Sequence, residues 1–229
     1  MDIYFIDIKK AVLKDNQDLA DQIRRELRLK DVFMLNLMSS PGAGKTSLVL
    51  ETIRRMKNDV RIGVIEGDIE SQVDSEKIAA EGIPAVQLRT GDSCHLDAPM
   101  IEAGLKALAL DSLDLIIIEN VGNLVCPAEF DTGANRRAMI LSVPEGDDKV
   151  LKYPLMFSVC DALVINKIDY LPLTDFNVSA VKDRTWKLNP EIAIFETSCR
   201  TGEGLDDWCR WLKKEMAANT AGGVDRDAP

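Results

Sequence analysis

Apolar and polar positions alternate along this chain in two rhythms. Seven short runs are almost wholly apolar: "VFMLNLM" (32–38), "VRIGVIE" (60–66), "PAVQL" (84–88), "LDLIIIE" (113–119), "AMILSV" (138–143), "DALVINK" (161–167) and "EIAIFET" (191–197). Strands buried on both faces of a parallel sheet read this way. Between most of them apolar residues recur at helical spacing, over 46–57, 74–81, 97–110, 176–188 and 204–217. Ahead of the first run, Leu13, Leu19, Ile23 and Leu27 punctuate an otherwise polar segment 8–29, which predicts an amphipathic helix. Strands alternating with helices predict an α/β fold, a mainly parallel sheet flanked by helices in three layers. No repeat and no low-complexity block interrupts the pattern. The expectation is a single domain over 1–217, with a flexible polar tail, 218–229, in which Gly222 and Gly223 mark the loosening.

The first apolar run leads into "SSPGAGKTS" (39–47), and a helical segment follows. A phosphate-binding loop needs that strand–loop–helix context, so the fold is expected to be that of a P-loop NTPase. Gly42 and Gly44 let the backbone turn its N–H groups toward a β-phosphate, and Ser40, Ala43 and Ser47 complete the cradle. Lys45 offers a charge to the β- and γ-phosphates, and Thr46 a hydroxyl to Mg²⁺. Ser39 stands where the consensus has its first glycine.

"VINKID" (164–169) follows a later buried run. Asn166-Lys167-x-Asp169 has the form that reads guanine. A carboxylate at Asp169 accepts from N1–H and the exocyclic amine of that base. Adenine has no donors there, and the acid would be left unpaired. The Lys167 stem lies over the base, and Asn166 buttresses the loop. "TSCRTGEG" (197–204) follows the last run, and there a backbone N–H near Cys199, beside Ser198, is expected to face guanine O6; a plain strand-to-helix turn is the alternative.

Acids stand at or just beyond the ends of two apolar runs. Glu119-x-x-Gly122 stands where such proteins place the acid that organises Mg²⁺ and its water, with the Gly122 N–H near the γ-phosphate. Asp68 is a second candidate for the Mg²⁺ shell and Asp74 a third; helix capping is the alternative for both. With Lys45, the acids Asp68 and Glu119 form the expected catalytic set, since phosphoryl transfer needs positioning and charge neutralisation more than a strong base.

The net charge of −10 argues against nucleic acid as a partner, while leaving room for a nucleotide held by backbone N–H groups. No apolar run reaches the ~20 residues of a membrane helix. The opening "MDIYFIDIKK" does not read as a signal peptide. Five scattered cysteines suit a reducing cytoplasm.

The only histidine of the chain, His95, follows Cys94 in "TGDSCHLDA" (90–98), and Cys126 opens "CPAEF" after Gly122. Thiol and imidazole together suit Zn²⁺, and N/S sets also suit Ni²⁺. Neighbours on a strand point apart, so Cys94 and His95 need a loop to converge, or else serve two ions. Three ligands leave a tetrahedral site open, or shared across a two-fold axis. Cys160 and Cys209 read as core residues. Cys126 lies seven positions after Glu119, so a segment that senses the γ-phosphate runs into a metal ligand. That spacing suggests that the nucleotide state changes metal affinity.

The segments "LNLMSSPGAGKTSL", "EGDIES", "TGDSCHLDA", "IENVGNLVCPAEFD", "EGDDKVLKYP" and "INKIDYLP" resemble the HypB family of hydrogenase nickel-incorporation GTPases, over about residues 32–212. "CHLDA" with "ENVGNLVCP" is the most specific part. The resemblance implies a GTPase of the signal-recognition and MinD-like class, using GTP/GDP, that dimerises with nucleotide. It implies that Cys94, His95 and Cys126 bind nickel or zinc at the homodimer interface. It implies nickel delivery to the large-subunit precursor of [NiFe] hydrogenase, with a HypA-type metallochaperone as partner. Lys149 or Lys152 would reach the partner's nucleotide. The cysteine-rich N-terminal motif and the histidine-rich tract of some members are missing from this sequence, whose first cysteine is Cys94, so no tight N-terminal site and no nickel store are expected. Arg89 and "GDS" (91–93) also depart from the usual residues. A urease-type or cobalamin-type accessory GTPase is the nearest alternative, and a GTP-using kinase or transferase a more distant one.

Overall fold

The computed structural model describes residues 8–68 and 73–221. Its elements, in chain order, are α1 (Ile8–Leu29), β1 (Phe33–Ser39), α2 (Lys45–Met56), β2 (Ile62–Asp68), α3 (Val73–Ala80), β3 (Ala85–Arg89), α4 (Ala98–Lys106), β4 (Leu115–Glu119), α5 (Cys126–Glu129), β5 (Arg136–Ser142), α6 (Lys149–Lys152), α7 (Pro154–Val159), β6 (Ala162–Asn166), α8 (Val178–Leu188), β7 (Ala193–Glu196) and α9 (Leu205–Ala221). All seven apolar runs are strands. They form one parallel sheet in the order β3-β2-β4-β1-β5-β6-β7.

The central strands are buried on both faces, as their unbroken apolar character requires. One face of β1 (Phe33, Leu35, Leu37) packs with α2 and α9 around Leu48, Ile53, Trp208 and Leu212. On the other face, Met34 meets Ile23 and Leu27 of α1 and Ile101 and Leu105 of α4. Further along the sheet, Met139 and Leu141 meet α7 and α8. Ile23 and Leu27 thus occupy the buried side of α1 as expected, whereas Leu13 and Leu19 are only half-buried. The same side also buries a polar residue, Asn16. Among the described residues no helix is long and apolar enough to cross a membrane.

Two differences from the sequence pattern have local causes. The last helix runs to Ala221 rather than ending at 217, because "AANTA" continues it with alanines, the best helix formers. The rest of the expected tail, 222–229, lies outside the described residues. The stretch 126–159 holds three helices of four to six residues, too short for periodicity to reveal.

Candidate functional site

At the carboxyl end of the sheet β1, β2 and β4 stand side by side, and their tips carry the phosphate loop, Asp68 and Glu119. Gly42 (φ +75°) and Gly44 (φ +102°) are left-handed, a conformation that L side chains rarely adopt. A Cβ on Gly44 would also stand 2.5 Å from Asn166 Nδ2. Ser39 is the last residue of β1 and has no positive φ, so the consensus glycine is not needed there. Its hydroxyl accepts from Lys45 Nζ (3.1 Å) and donates to the Ser40 carbonyl (2.7 Å). The Ser40 hydroxyl donates to the Glu145 carboxylate, which also takes the Ser142 N–H and hydroxyl at 2.8 and 2.7 Å.

A cavity of about 570 Å³ opens over this loop. Of the predicted residues it is lined by Gly42, Gly44, Lys45, Thr46, Ser47, Asp68, Glu119, Gly122 and Lys167. Thr46 Oγ1 donates to Glu119 Oε1 at 2.7 Å. Gly122 presses on the loop from the β4 side: a Cβ there would lie 3.0 Å from the Pro41 nitrogen. Glu66 also lines the cavity, buried on β2 opposite Glu119 in the parallel register. Sequence reading passed over it, although "VRIGVIE" ends in an acid just as "LDLIIIE" does. Asp74 falls in the first turn of α3, and its side chain lies outside the described residues, as do residues 69–71 of "EGDIES".

The base-reading residues gather beside the loop. Asn166 Nδ2 donates to the buried Ala43 carbonyl (3.0 Å), and Lys167, itself left-handed at φ +61°, reaches the Gly42 carbonyl (2.7 Å). Ser198 Oγ donates to Asp169 Oδ1 (2.6 Å). Asp169 Oδ2 is buried and accepts no hydrogen bond from the described residues, with the Arg200 guanidinium 3.7 Å away. A buried carboxylate oxygen of this kind is suited to a donor pair on a ligand. The Cys199 N–H donates to Asn166 Oδ1 at 3.4 Å. Burial pushes the Cys199 thiol up to about 11, so it stays protonated and inert.

A second cluster lies beyond the tips of β2 and β4. Cys94 and His95 sit in the irregular segment between β3 and α4, which lets neighbours converge. Cys94 Sγ is 2.8 Å from Cys126 Sγ and 3.8 Å from His95 Nδ1. The three ligand atoms all lie within 4.8 Å of one another, and among the described residues no other such group forms. Cys126 opens the short helix α5. His95 stacks on Phe130 at 3.9 Å, and burial lowers its pKa despite Asp97 and Glu129 nearby. A neutral ring is what a metal ligand needs. The Cys126 thiol is raised, first by its hydrogen bond with Cys94. The two ligand segments share a fastening on α1: Asn16 accepts from the Ala98 N–H and donates to the Asp131 carbonyl, both at 2.8 Å. The other cysteines divide as expected, with Cys160 and Cys209 in the core. Lys149 lies 5.4 Å from the Tyr153 ring centre, and Lys152 pairs with Asp148 at 2.5 Å.

Residues 33–196 match the family model "CobW/HypB/UreG, nucleotide-binding domain". The hydrogenase maturation factor HypB of Escherichia coli K12 is 44% identical over 213 residues, 93% of this chain and 73% of that protein. The chain belongs to the HypB family. The hydrogenase/urease maturation factor HypB of Helicobacter pylori 26695 is 41% identical over 218 residues, covering 93% and 89% of the two chains. Two HypB crystal structures are close in shape. That of H. pylori HypB in complex with nickel has a TM-score of 0.85 at 41% identity, over 90% of this chain and 97% of the other. That of Archaeoglobus fulgidus HypB has 0.84 at 41%, over 89% and 100%. The signal recognition particle receptor FtsY of Elizabethkingia anophelis, at 15% identity and a TM-score of 0.52 over 87% of this chain and 72% of the other, shares the fold alone. In this chain the phosphate loop follows β1, and the Cys94–His95–Cys126 cluster lies beyond the tips of its neighbours β4 and β2.

Proposed function

We propose that this chain is a GTP-hydrolysing metallochaperone that binds nickel, or zinc, and supports nickel insertion into [NiFe] hydrogenase. One observation carries the reading: Cys94, His95 and Cys126 converge directly behind Glu119–Gly122, so one segment borders both the phosphate cavity and the metal ligands.

The nucleotide half of the reaction follows from the cradle. Backbone N–H groups of the phosphate loop and the start of α2 face the phosphates, and Lys45 adds a full charge. Asp169 selects guanine through its carboxylate, whose buried Oδ2 is left to accept from a ligand while Ser198 holds Oδ1. The oxygen set of Thr46, Glu119 and Asp68 fits a hard cation such as Mg²⁺, and the 2.7 Å bond between Thr46 and Glu119 already brings two of these groups together. When bound, that ion neutralises phosphate charge. Glu119 and Asp68 orient water around the cavity, and Gly122 brings its N–H to the γ-phosphate.

Nickel is cargo. Two thiols and an imidazole leave coordination positions open, which suits a site that must release its ion. A homodimer that shares the site across a two-fold axis supplies further ligands. Loss of the γ-phosphate relaxes 119–122 and with it Cys126, changing nickel affinity. The partners that fit are a HypA-type metallochaperone on the donor side and the hydrogenase large-subunit precursor on the acceptor side. The name of the H. pylori relative, a hydrogenase/urease factor, favours a second reading in which urease is also served.

The test is a nickel titration with GDP and with a non-hydrolysable GTP analogue, alongside light scattering and metal analysis of the same samples. Different affinities and a nucleotide-dependent dimer are expected. Identical affinities would remove the coupling, and absence of GTP turnover without an added acceptor would remove the GTPase.

A further inference from the structure

The contacts around Asn120 go beyond the Cys126 route. Asn120 is fully buried, immediately after Glu119 and two residues before Gly122. Its backbone N–H extends the β1–β4 ladder to the Leu37 carbonyl at 3.0 Å. Its side chain does three things at once. Nδ2 donates to Asn36 Oδ1 on β1 (3.1 Å), which fixes the amide's orientation. Oδ1 accepts from the Val121 N–H (2.9 Å) and from the Leu96 N–H (3.0 Å). Leu96 is the residue after His95, and it too is fully buried. Its side chain rests on Gly67, where an added Cβ would stand 2.6 Å from Leu96 Cδ1. Gly67 precedes Asp68 and lines the phosphate cavity. Leu96 is therefore held between the tips of the two strands that carry Asp68 and Glu119, and none of these contacts passes through Cys126.

We infer that Asn120 is a positioning residue that carries the nucleotide state to His95 through the Leu96 N–H, by a route separate from the 122–126 segment that leads to Cys126. The inference rests on the nucleotide–metal coupling proposed above. One oxygen serves the N–H groups of Val121 and Leu96. When the 121–122 peptide moves toward a γ-phosphate, the Val121 bond changes and the amide must follow. A buried N–H has no water to turn to, so Leu96 follows the amide instead of releasing it. The metal ligands are thus addressed from two sides, the thiol through the chain and the imidazole through a hydrogen bond.

The single histidine makes the test direct. Labelling with ¹⁵N-histidine gives the ring signals of His95 alone, in protein free of nickel. They are recorded with GDP and with a non-hydrolysable GTP analogue, and nickel affinity is measured in the same states. In the wild type the His95 signals differ between the two nucleotides. Asn120→Ala is expected to shrink that difference at least ~3-fold and the nucleotide-dependent ratio of nickel affinities by about the same factor. Cys126→Ser is expected to keep the His95 difference. A merely structural Asn120 would disturb His95 equally in both states and leave the difference intact, which overturns the inference. Loss of the difference in Cys126→Ser also overturns it. Should Asn120→Ala fail to fold, Gly67→Ala decides, since it pushes on Leu96 from the opposite side. At saturating nucleotide, a His95 difference between GDP and the analogue that shrinks supports the route, and a difference that stays intact refutes it. If wild-type nickel affinity depends on nucleotide while His95 does not respond, only this route falls. If neither responds, the coupling itself falls.

Discussion

The phosphate cradle and the metal cluster lie one strand tip apart and are built on opposite plans. The cradle is made of backbone at the ends of buried parallel strands. Its shape is fixed by left-handed glycines and by bonds such as Asn166 Nδ2 to the Ala43 carbonyl. The cluster is made of side chains on an irregular segment and at the start of the short helix α5, placed by contacts from elsewhere: Asn16 on α1, Asn120 just after β4 and the Phe130 ring. A site that must hold one charged shape benefits from a rigid frame. A site that must take up and give back an ion benefits from ligands whose supports can move.

The largest expected effect separates the two. Lys45→Ala should lower GTP hydrolysis by at least about 100-fold, because the charge on the transferring phosphoryl group is lost. Nickel affinity in the nucleotide-free protein should stay within about threefold, and loss of nickel binding in a folded variant would show that the sites are not separate. Phosphate release and chelator competition read the two.

Asp169→Asn should turn guanine preference toward xanthine, by about 100-fold in relative affinity, since an amide donates where the carboxylate accepted. Retained GTP preference in nucleotide competition would remove Asp169 from the base site. Gly44→Ala should weaken GDP binding by about tenfold or more. It forces an L residue to φ +102° and a Cβ to 2.5 Å from Asn166. The metal cluster should not notice. Cys126→Ser acts from the other side, cutting nickel affinity at least about tenfold while nickel-free GTP turnover stays within about threefold.

The smallest effect concerns the frame they share. Asp131 is buried, which works against its charge, but Arg24 and Arg137 outweigh this and hold its pKa below the usual value. A carboxylate depressed in the folded state stabilises at pH above its unfolded pKa. That contribution fades as pH falls through the unfolded and then the folded value. Asp131→Asn should therefore cost about 1–3 kcal/mol at neutral pH and less in acid. Urea unfolding at pH 7 and near pH 3 measures the difference, and an equal loss at both would contradict the ion-pair origin.

The cradle was legible in the sequence because backbone geometry leaves a signature in residue type. Glycines at 42 and 44, a lysine at 45 and apolar runs before and after can hardly be arranged otherwise. The ligands of the cluster were legible too, since thiol and imidazole are scarce here. Their supports were not. Asn16, Asn36 and Asn120 are ordinary polar residues, and only the fold shows that they are buried, with Asn120 bonded to Asn36 and Asn16 to Ala98 and Asp131. Glu66 stayed hidden for another reason: register alone sets it beside Glu119. The short helices between 126 and 159 carry too few turns to impose a period.

The amide of Asn16 grips a chain segment with each end, Ala98 with its oxygen and Asp131 with its nitrogen. Two strips of polypeptide that are 33 residues apart in order are thereby pinned by a single rivet on the first helix. Drawing α1 away from the body would take a support from both strips in one motion, while the bonds within the phosphate loop, such as Lys45 to Ser39, lie elsewhere.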